Sequence, residues 1–260
     1  AVGLEAGTRL SPGAIALAAM FGRTEVVVAR RPRVVVLCTG DELRAPGQPA
    51  GPATIPESNS AALSAMARRA GADVHVAPIV RDEPHETQRA IEAALDGADV
   101  LLTVGGVSVG DHDFVRPAME RAGIAIEFWR VAIKPGKPLA VGRGAGVHVL
   151  GLPGNPASAL VTFAVFGAPL LRAMQGDPSP LPLPLRARLE APRRRARDRL
   201  ELVRATLVHK DEDLVARPHD NQASGAATSL ARSDGLAFIA AGEGDAPAGT
   251  TVDFVRWSDV

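Results

Sequence analysis

The chain has 260 residues, enough for one large or two ordinary domains. Lys+Arg and Asp+Glu are both 29, so the net charge is zero, and aromatics are 3% with no Tyr; this balance argues against a nucleic-acid binder that stacks bases on aromatic platforms. One cysteine, Cys38, rules out an internal disulfide and fits a reducing cytosol, and no uninterrupted apolar run reaches the roughly 18 residues of a membrane span.

The first residue is not Met and no signal-peptide pattern follows, so a truncated or processed N-terminus is expected. Ser11-Pro12 reads as an N-cap with Pro at the first helical position, and Gly22 as the stop. Val26-Val27-Val28 reads as a short strand. Residues 1–31 are too few for a domain and read as a connector, or the remnant of an N-terminal domain.

Residues 32–176 alternate strands and helices, which predicts an α/β fold with a doubly wound, mostly parallel sheet. Val34 to Leu37 is wholly apolar, as in a sheet covered on both faces. A helix from Ser58 or Asn59 ends at Gly71, a strand covers Val74 to Ile79, and a helix from Glu83-Pro84 ends at Gly97. Val100 to Leu102 is the next strand, leading into a glycine loop and a helix over 115–122. Strands follow over 124–131, 139–141 and 147–150, then a long helix from Asn155-Pro156 to about Met174 that Pro169 should kink. The Pro-rich stretch 177–184 is a stiff boundary. Short strands at 185–189, 200–208, 214–217, 235–240 and 251–256 predict a small C-terminal β domain over 177–260.

Four loops carry polar residues and each follows an apolar strand: Thr39-Gly40-Asp41-Glu42, Arg81 to Pro84, Gly105-Gly106-Val107-Ser108-Val109-Gly110-Asp111-His112-Asp113, and Gly151-Leu152-Pro153-Gly154-Asn155-Pro156. Ligands of open parallel sheets bind beyond the carboxyl ends of the strands, so topology converges these loops on one edge. The glycines leave room for backbone N–H groups to surround an anion, while Asp111 and Asp113 would repel one unless a divalent ion stands between. Asp41 and Glu42 suit metal or acid/base work, or are solvated carboxylates. Glu57, Ser58 and Asn59 suit helix capping, and Asp82 and Glu83 a helix start. Lys134 and Lys137, flanking Pro135-Gly136, suit a phosphate or oxyanion clamp, or a solvated turn. Asn155 could cap the long helix, whose N-terminus would face an anion. His75, His85, His112 and His148 lack paired metal-ligand spacing, Cys38 closes a buried strand, and Arg193 to Arg199 suit a solvated strand edge. The chain has no Gly-x-x-x-x-Gly-Lys-Ser/Thr, and the glycine loop fits Gly-x-Gly-x-x-Gly poorly.

Taken together, Arg31 to Leu43, Gly105 to Asp111, Ile133 to Pro138 and Gly151 to Pro156 resemble the molybdopterin molybdenumtransferases of the MoeA type, similar to the C-terminal domain of gephyrin. Gln222 to Gly225 and Ser229 to Leu236 resemble that family's terminal β domain. The resemblance implies insertion of molybdate into adenylylated molybdopterin with Mg²⁺-assisted release of AMP, in a cytoplasmic homodimer that works beside other proteins of molybdenum cofactor assembly, without nucleic acid or membrane. It implies Asp113, Glu57, Lys134 and Lys137 as catalytic residues and Asp111, Asp113 and Glu57 as metal ligands. Thr39, Gly40, Asp41, Glu42, Gly105, Gly106, Ser108, Gly110, Pro153, Gly154, Asn155 and Pro156 would bind the substrate. Two departures stand out: Glu57-Ser58-Asn59 replaces the family's usual Asp-Ser/Thr-Asn, and the family's N-terminal region is missing. A non-catalytic molybdopterin-binding or scaffold module is the alternative reading.

Overall fold

The computed structural model of the chain describes residues 2–49, 51–106 and 114–260. The elements are α1 (Pro12–Met20), β1 (Arg33–Cys38), β2 (Leu43–Arg44), β3 (Ile55–Pro56), α2 (Asn59–Arg69), β4 (Asp73–Val76), α3 (Pro84–Leu95), β5 (Val100–Val104), α4 (Val115–Arg121), β6 (Ala125–Trp129), β7 (Ile133–Lys134), β8 (Ala140–Gly144) and β9 (Val147–Leu152). There follow α5 (Pro156–Thr162), a π-helical turn over Phe163–Gly167, α6 (Ala168–Met174), β10 (Leu185–Leu189), β11 (Arg193–Arg194), β12 (Leu200–Lys210), β13 (Asp213–Pro218), α7 (Ala227–Arg232), β14 (Gly235–Ile239), β15 (Asp245–Ala246) and β16 (Thr251–Arg256).

The first sheet has the order β4-β1-β5-β9-β8-β6. Strands β4, β1, β5 and β9 run parallel, while β8 is antiparallel to both β9 and β6. Alternation along β1 sends Val34, Val36 and Cys38 to the face under α2, α5 and α6, and Val35 and Leu37 to the face under α3 and α4. Both faces are apolar because both are covered, as the unbroken run of Val and Leu required. In the second sheet β13 pairs with β10 and also with β12, closing β13-β10-β16-β14-β12 into a small barrel filled by Ala187, Leu189, Val203, Ala237 and Phe254. Leu202, Leu236 and Val255 point outward and join the cluster under α5, so one apolar core spans both sheets.

Two expectations need correction, and a third meets a local change of helix type. Val26-Val27-Val28 is exposed and forms no ladder among the described residues, because three valines make a strand only beside a partner. Where a kink is expected at Pro169, the helix changes type: Pro169 falls in the first turn of α6, directly after the π-helical turn Phe163–Gly167. The helical run Pro156–Met174 is 19 residues and apolar enough to cross a membrane, although 61% of it is buried here as a core helix. Ser158, Thr162, Gly167, Pro169 and Arg172 interrupt its apolar residues, yet its mean hydropathy remains high.

At the amino edge of the first sheet, Asp99 accepts hydrogen bonds from Arg30 (2.6 and 2.9 Å) and the Arg33 amide (2.7 Å) and is 14% exposed. The Arg30 guanidinium, with help from Arg33, holds the Asp99 carboxyl well below the usual range. A depressed folded-state pKa stabilises above the unfolded value near 3.9 and is lost as pH falls through the folded one. Asp99→Asn is therefore expected to cost on the order of 1–2 kcal/mol at pH 7, with the gap to the parent shrinking between about pH 5 and pH 1 in urea denaturation.

Candidate functional site

The polar loops meet where expected, at the carboxyl edge of β1, β5 and β9. The Thr39 amide donates to the Val104 carbonyl (3.0 Å), the Gly40 amide to Val80 (3.0 Å) and the Gly105 amide to Leu152 (3.2 Å), which sews three loops to neighbouring strands. Gly105 has φ +96°, and a Cβ there would lie 2.6 Å from the Thr39 carbonyl oxygen. Gly106 has φ +60°, and its Cβ would strike Val115. Gly154 lies against Gly105, its Cβ position 3.7 Å from the Gly105 Cα. Thr39 is 4% exposed and its hydroxyl has no partner among the described residues. At this corner the backbone packs where side chains cannot enter, and it leaves a buried hydroxyl without a partner among the described residues.

Around the corner the expected residues divide. Glu42 is exposed and places its carboxylate over Gly40, while Asp41 pairs with Arg81 (3.5 Å) and accepts from the Asp82 amide (3.3 Å). Pro153 is buried, Gly154 and Asn155 are exposed, and Pro156 starts α5. The Asn155 side chain makes no capping bond, and the Ala157 amide donates to the Ser224 carbonyl (2.9 Å). The first amide of the long helix is thus taken by the C-terminal domain, and Asn155 does not cap the helix as expected. Ser108, Gly110, Asp111 and Asp113 lie outside the described residues.

Glu57 is 4% exposed and faces its own helix. It accepts from the Ser60 amide (2.9 Å), from the Ser60 hydroxyl, and from the Cys38 thiol (3.5 Å). Burial, and then the Glu57 carboxylate, push the Cys38 thiol far above its ordinary range, so it stays protonated and inert, as expected. Among the described residues no three His, Cys, Asp or Glu side chains stand close enough to share a metal ion, and the structure does not bring Glu57 into such a set.

Lys134 lies in β7, which leaves the first domain to pair with β12 of the second, and its ammonium stands 3.0 Å from Glu201. The Lys134-Pro135 peptide is cis, and Gly136 packs so closely on Thr162 that a Cβ would collide with it. Lys137 is exposed on the same turn. Both lysines are therefore held at the seam between the domains, beside α5.

Two residues here were not singled out for function from the sequence. Arg204 is fully buried, donating to the Ser229 hydroxyl (2.8 Å) and the Ala223 carbonyl (3.0 Å), with its Nη1 unpaired among the described residues; the signal was a lone arginine inside the apolar run Leu202-Val203-Arg204-Ala205. Asn59, read as a possible cap, instead donates from Nδ2 to the Gly154 carbonyl (2.7 Å).

Comparison with known proteins covers both domains. Residues 35–173 match the model of a probable molybdopterin binding domain, and residues 186–257 that of the MoeA C-terminal region, domain IV. The chain is 38% identical over 218 residues to molybdopterin molybdenumtransferase 2 of Mycobacterium tuberculosis, covering 82% of this chain and 54% of that protein. It is 33% identical over 249 residues to the molybdopterin molybdenumtransferase of Bacillus subtilis, covering 96% and 58%. The crystal structure of the molybdopterin biosynthesis MoeA protein from Pyrococcus horikosii superposes with a TM-score of 0.84 at 29% identity, covering 98% of this chain and 61% of that one. The chain thus spans little more than half the length of the curated relatives it matches.

Proposed function

We infer from one premise, that this chain belongs to the molybdopterin molybdenumtransferase (MoeA) family, that its strand-end cleft serves molybdenum cofactor assembly, inserting molybdate into adenylylated molybdopterin with release of AMP. The observation that supports this best is the convergence of Thr39, Gly105, Gly106 and Gly154 at the carboxyl edge of the parallel strands, the edge at which such sheets bind their ligands. In this reading residues 1–31 connect, 32–176 carry the pterin pocket and 177–260 close it from one side. Lys134 and Lys137 hold phosphate or molybdate as paired cations. Asp41 and Glu42 border the pocket, together with Gly40, Pro153, Asn155 and Pro156. Ser108 and Gly110 extend the phosphate cradle, and Asp113 assists hydrolysis. Glu57 acts through its bonds to Ser60 and Cys38, setting the start of α2.

The adenylyl phosphorus gains an oxygen from water as its bond to the pterin phosphate breaks, and AMP leaves. Molybdate exchanges one oxide for the two dithiolene sulfurs, and that oxide departs as water with two protons. The Mg²⁺ of this reading falls to Asp111 and Asp113. The described His, Cys, Asp and Glu residues assemble no metal set. A cytoplasmic homodimer acting with other cofactor-assembly proteins completes the proposal.

The test mixes the chain with adenylylated molybdopterin, molybdate and Mg²⁺. Molybdate-dependent AMP release is the expected result. Tight pterin binding without AMP would leave a binding or scaffold module, and no pterin binding at all would overturn the reading.

A further inference from the structure

Strand β12 carries one carboxylate into an apolar wall. Side chains alternate along a strand, so Glu201 shares a face with Val203 and Ala205, which fill the barrel. Its antiparallel neighbour on β14 is Ile239, part of the same core. The Glu201 side chain is 4% exposed. A carboxylate in such a place is costly unless a cation or hydrogen-bond donors meet it. Its own domain supplies none among the described residues: Oε2 has no partner, and the cation within ion-pair distance is Lys134, 3.0 Å from Oε1. Barrel packing therefore gives no reason for an acid at position 201, and the partner it does have is a lysine of the other domain.

The backbone sets that meeting. The Leu200 amide donates to the Ala132 carbonyl (2.9 Å), and Glu201 is paired with Lys134 across the parallel β7–β12 ladder. Side chains of paired residues leave a sheet on the same face. The turn after Lys134 is held as well, because Gly136 abuts Thr162 of α5. What the backbone leaves free is the flexible stem of Lys134, whose side chain is 60% exposed at the seam.

We propose that Glu201 is a positioning residue for Lys134: the buried carboxylate fixes the ammonium at the domain seam, and its charge weakens the hold of that ammonium on an oxyanion. This deepens the reading of Lys134 as an oxyanion contact and rests on it. An ammonium has three N–H donors, so one can face Glu201 while the others stay free for a ligand oxygen. The carboxylate thus has two effects of opposite sign on the site. It places the ammonium, and it repels the anion that the ammonium attracts. The repulsion dominates ground-state binding because a buried charge is little screened by salt or water. Placement dominates the reaction, which depends on geometry.

Inorganic pyrophosphate is titrated by calorimetry against the parent, Lys134→Ala, Glu201→Gln and the double variant, and molybdate-dependent AMP release is measured on the same four. Glu201→Gln should bind pyrophosphate severalfold more tightly and release AMP roughly tenfold more slowly, and both changes should vanish where Lys134 is already alanine. A residue that merely stabilised the barrel would not move binding and turnover in opposite directions, nor would its effect depend on Lys134. Glu201→Asp keeps the charge and withdraws it by one methylene, so it should bind pyrophosphate like the parent and still lose turnover. Parental affinity in Glu201→Gln, an effect that persists beside Lys134→Ala, or full turnover in Glu201→Asp overturns the proposal. If the parent releases no AMP, the four affinities decide it by themselves. If the parent binds no pyrophosphate, or Lys134→Ala binds it equally well, the oxyanion reading of Lys134 fails and this proposal falls with it.

Discussion

Lys134→Ala should lower molybdate-dependent AMP release by roughly 100-fold, the usual scale for removing one preorganised donor from a developing or bound oxyanion. The same change should loosen the fold, for a separate reason. Lys134 stands 3.0 Å from Glu201, a carboxylate only 4% exposed whose second oxygen has no partner among the described residues. Without the ammonium, that buried charge loses its compensation, at a cost on the order of 1–3 kcal/mol. Lys134 itself is 60% exposed, so water screens the pair and the lower end is expected. Lys134→Ala/Glu201→Gln removes the stranded charge and should recover the melting temperature without recovering turnover. If the double variant regained both, Lys134 would be a structural partner of β12 and nothing more.

Gly105→Ala should destabilise the chain by about 2–4 kcal/mol and abolish pyrophosphate binding. Part of this cost is the left-handed backbone at φ +96°, which an L side chain enters at about 1–2 kcal/mol. The rest is contact: the new methyl would sit 2.6 Å from the Thr39 carbonyl, a backbone atom that cannot swing aside. Relief requires β1 and β5 to separate where the Thr39 amide meets Val104, or the Gly105 amide to leave Leu152. Either movement dismantles the corner. Chemical denaturation and calorimetric titration check the two halves, and an alanine variant with parental affinity would remove the glycine corner from the site.

Much of this architecture was readable because its causes are local. The apolar runs Val34 to Leu37 and Val100 to Val104 could only be doubly covered strands, and Glu83 before Pro84 does cap its helix, accepting from the Glu86 amide at 2.7 Å. Placing four loops on one edge followed from parallel topology, which the ladders of β1, β4, β5 and β9 bear out. Val26 to Val28 shows the limit, since strand propensity without a partner yields exposed chain. Arg204 shows another: its place inside an apolar run marked it as unusual, while its partners lie about 20 residues further on.

By itself, then, the sequence determined the longer strands and helices, the glycines that need positive φ and the family resemblance, because backbone preference and side-chain period act over a few neighbouring residues. Only the tertiary structure decided which polar groups meet. Lys134 faces Glu201 because β7 crosses into the second sheet, Ser224 takes the Ala157 amide, and Asn59 reaches Gly154 across 95 positions of chain. Those pairings depend on how two domains share one apolar core, a long-range packing outcome that no local spacing encodes.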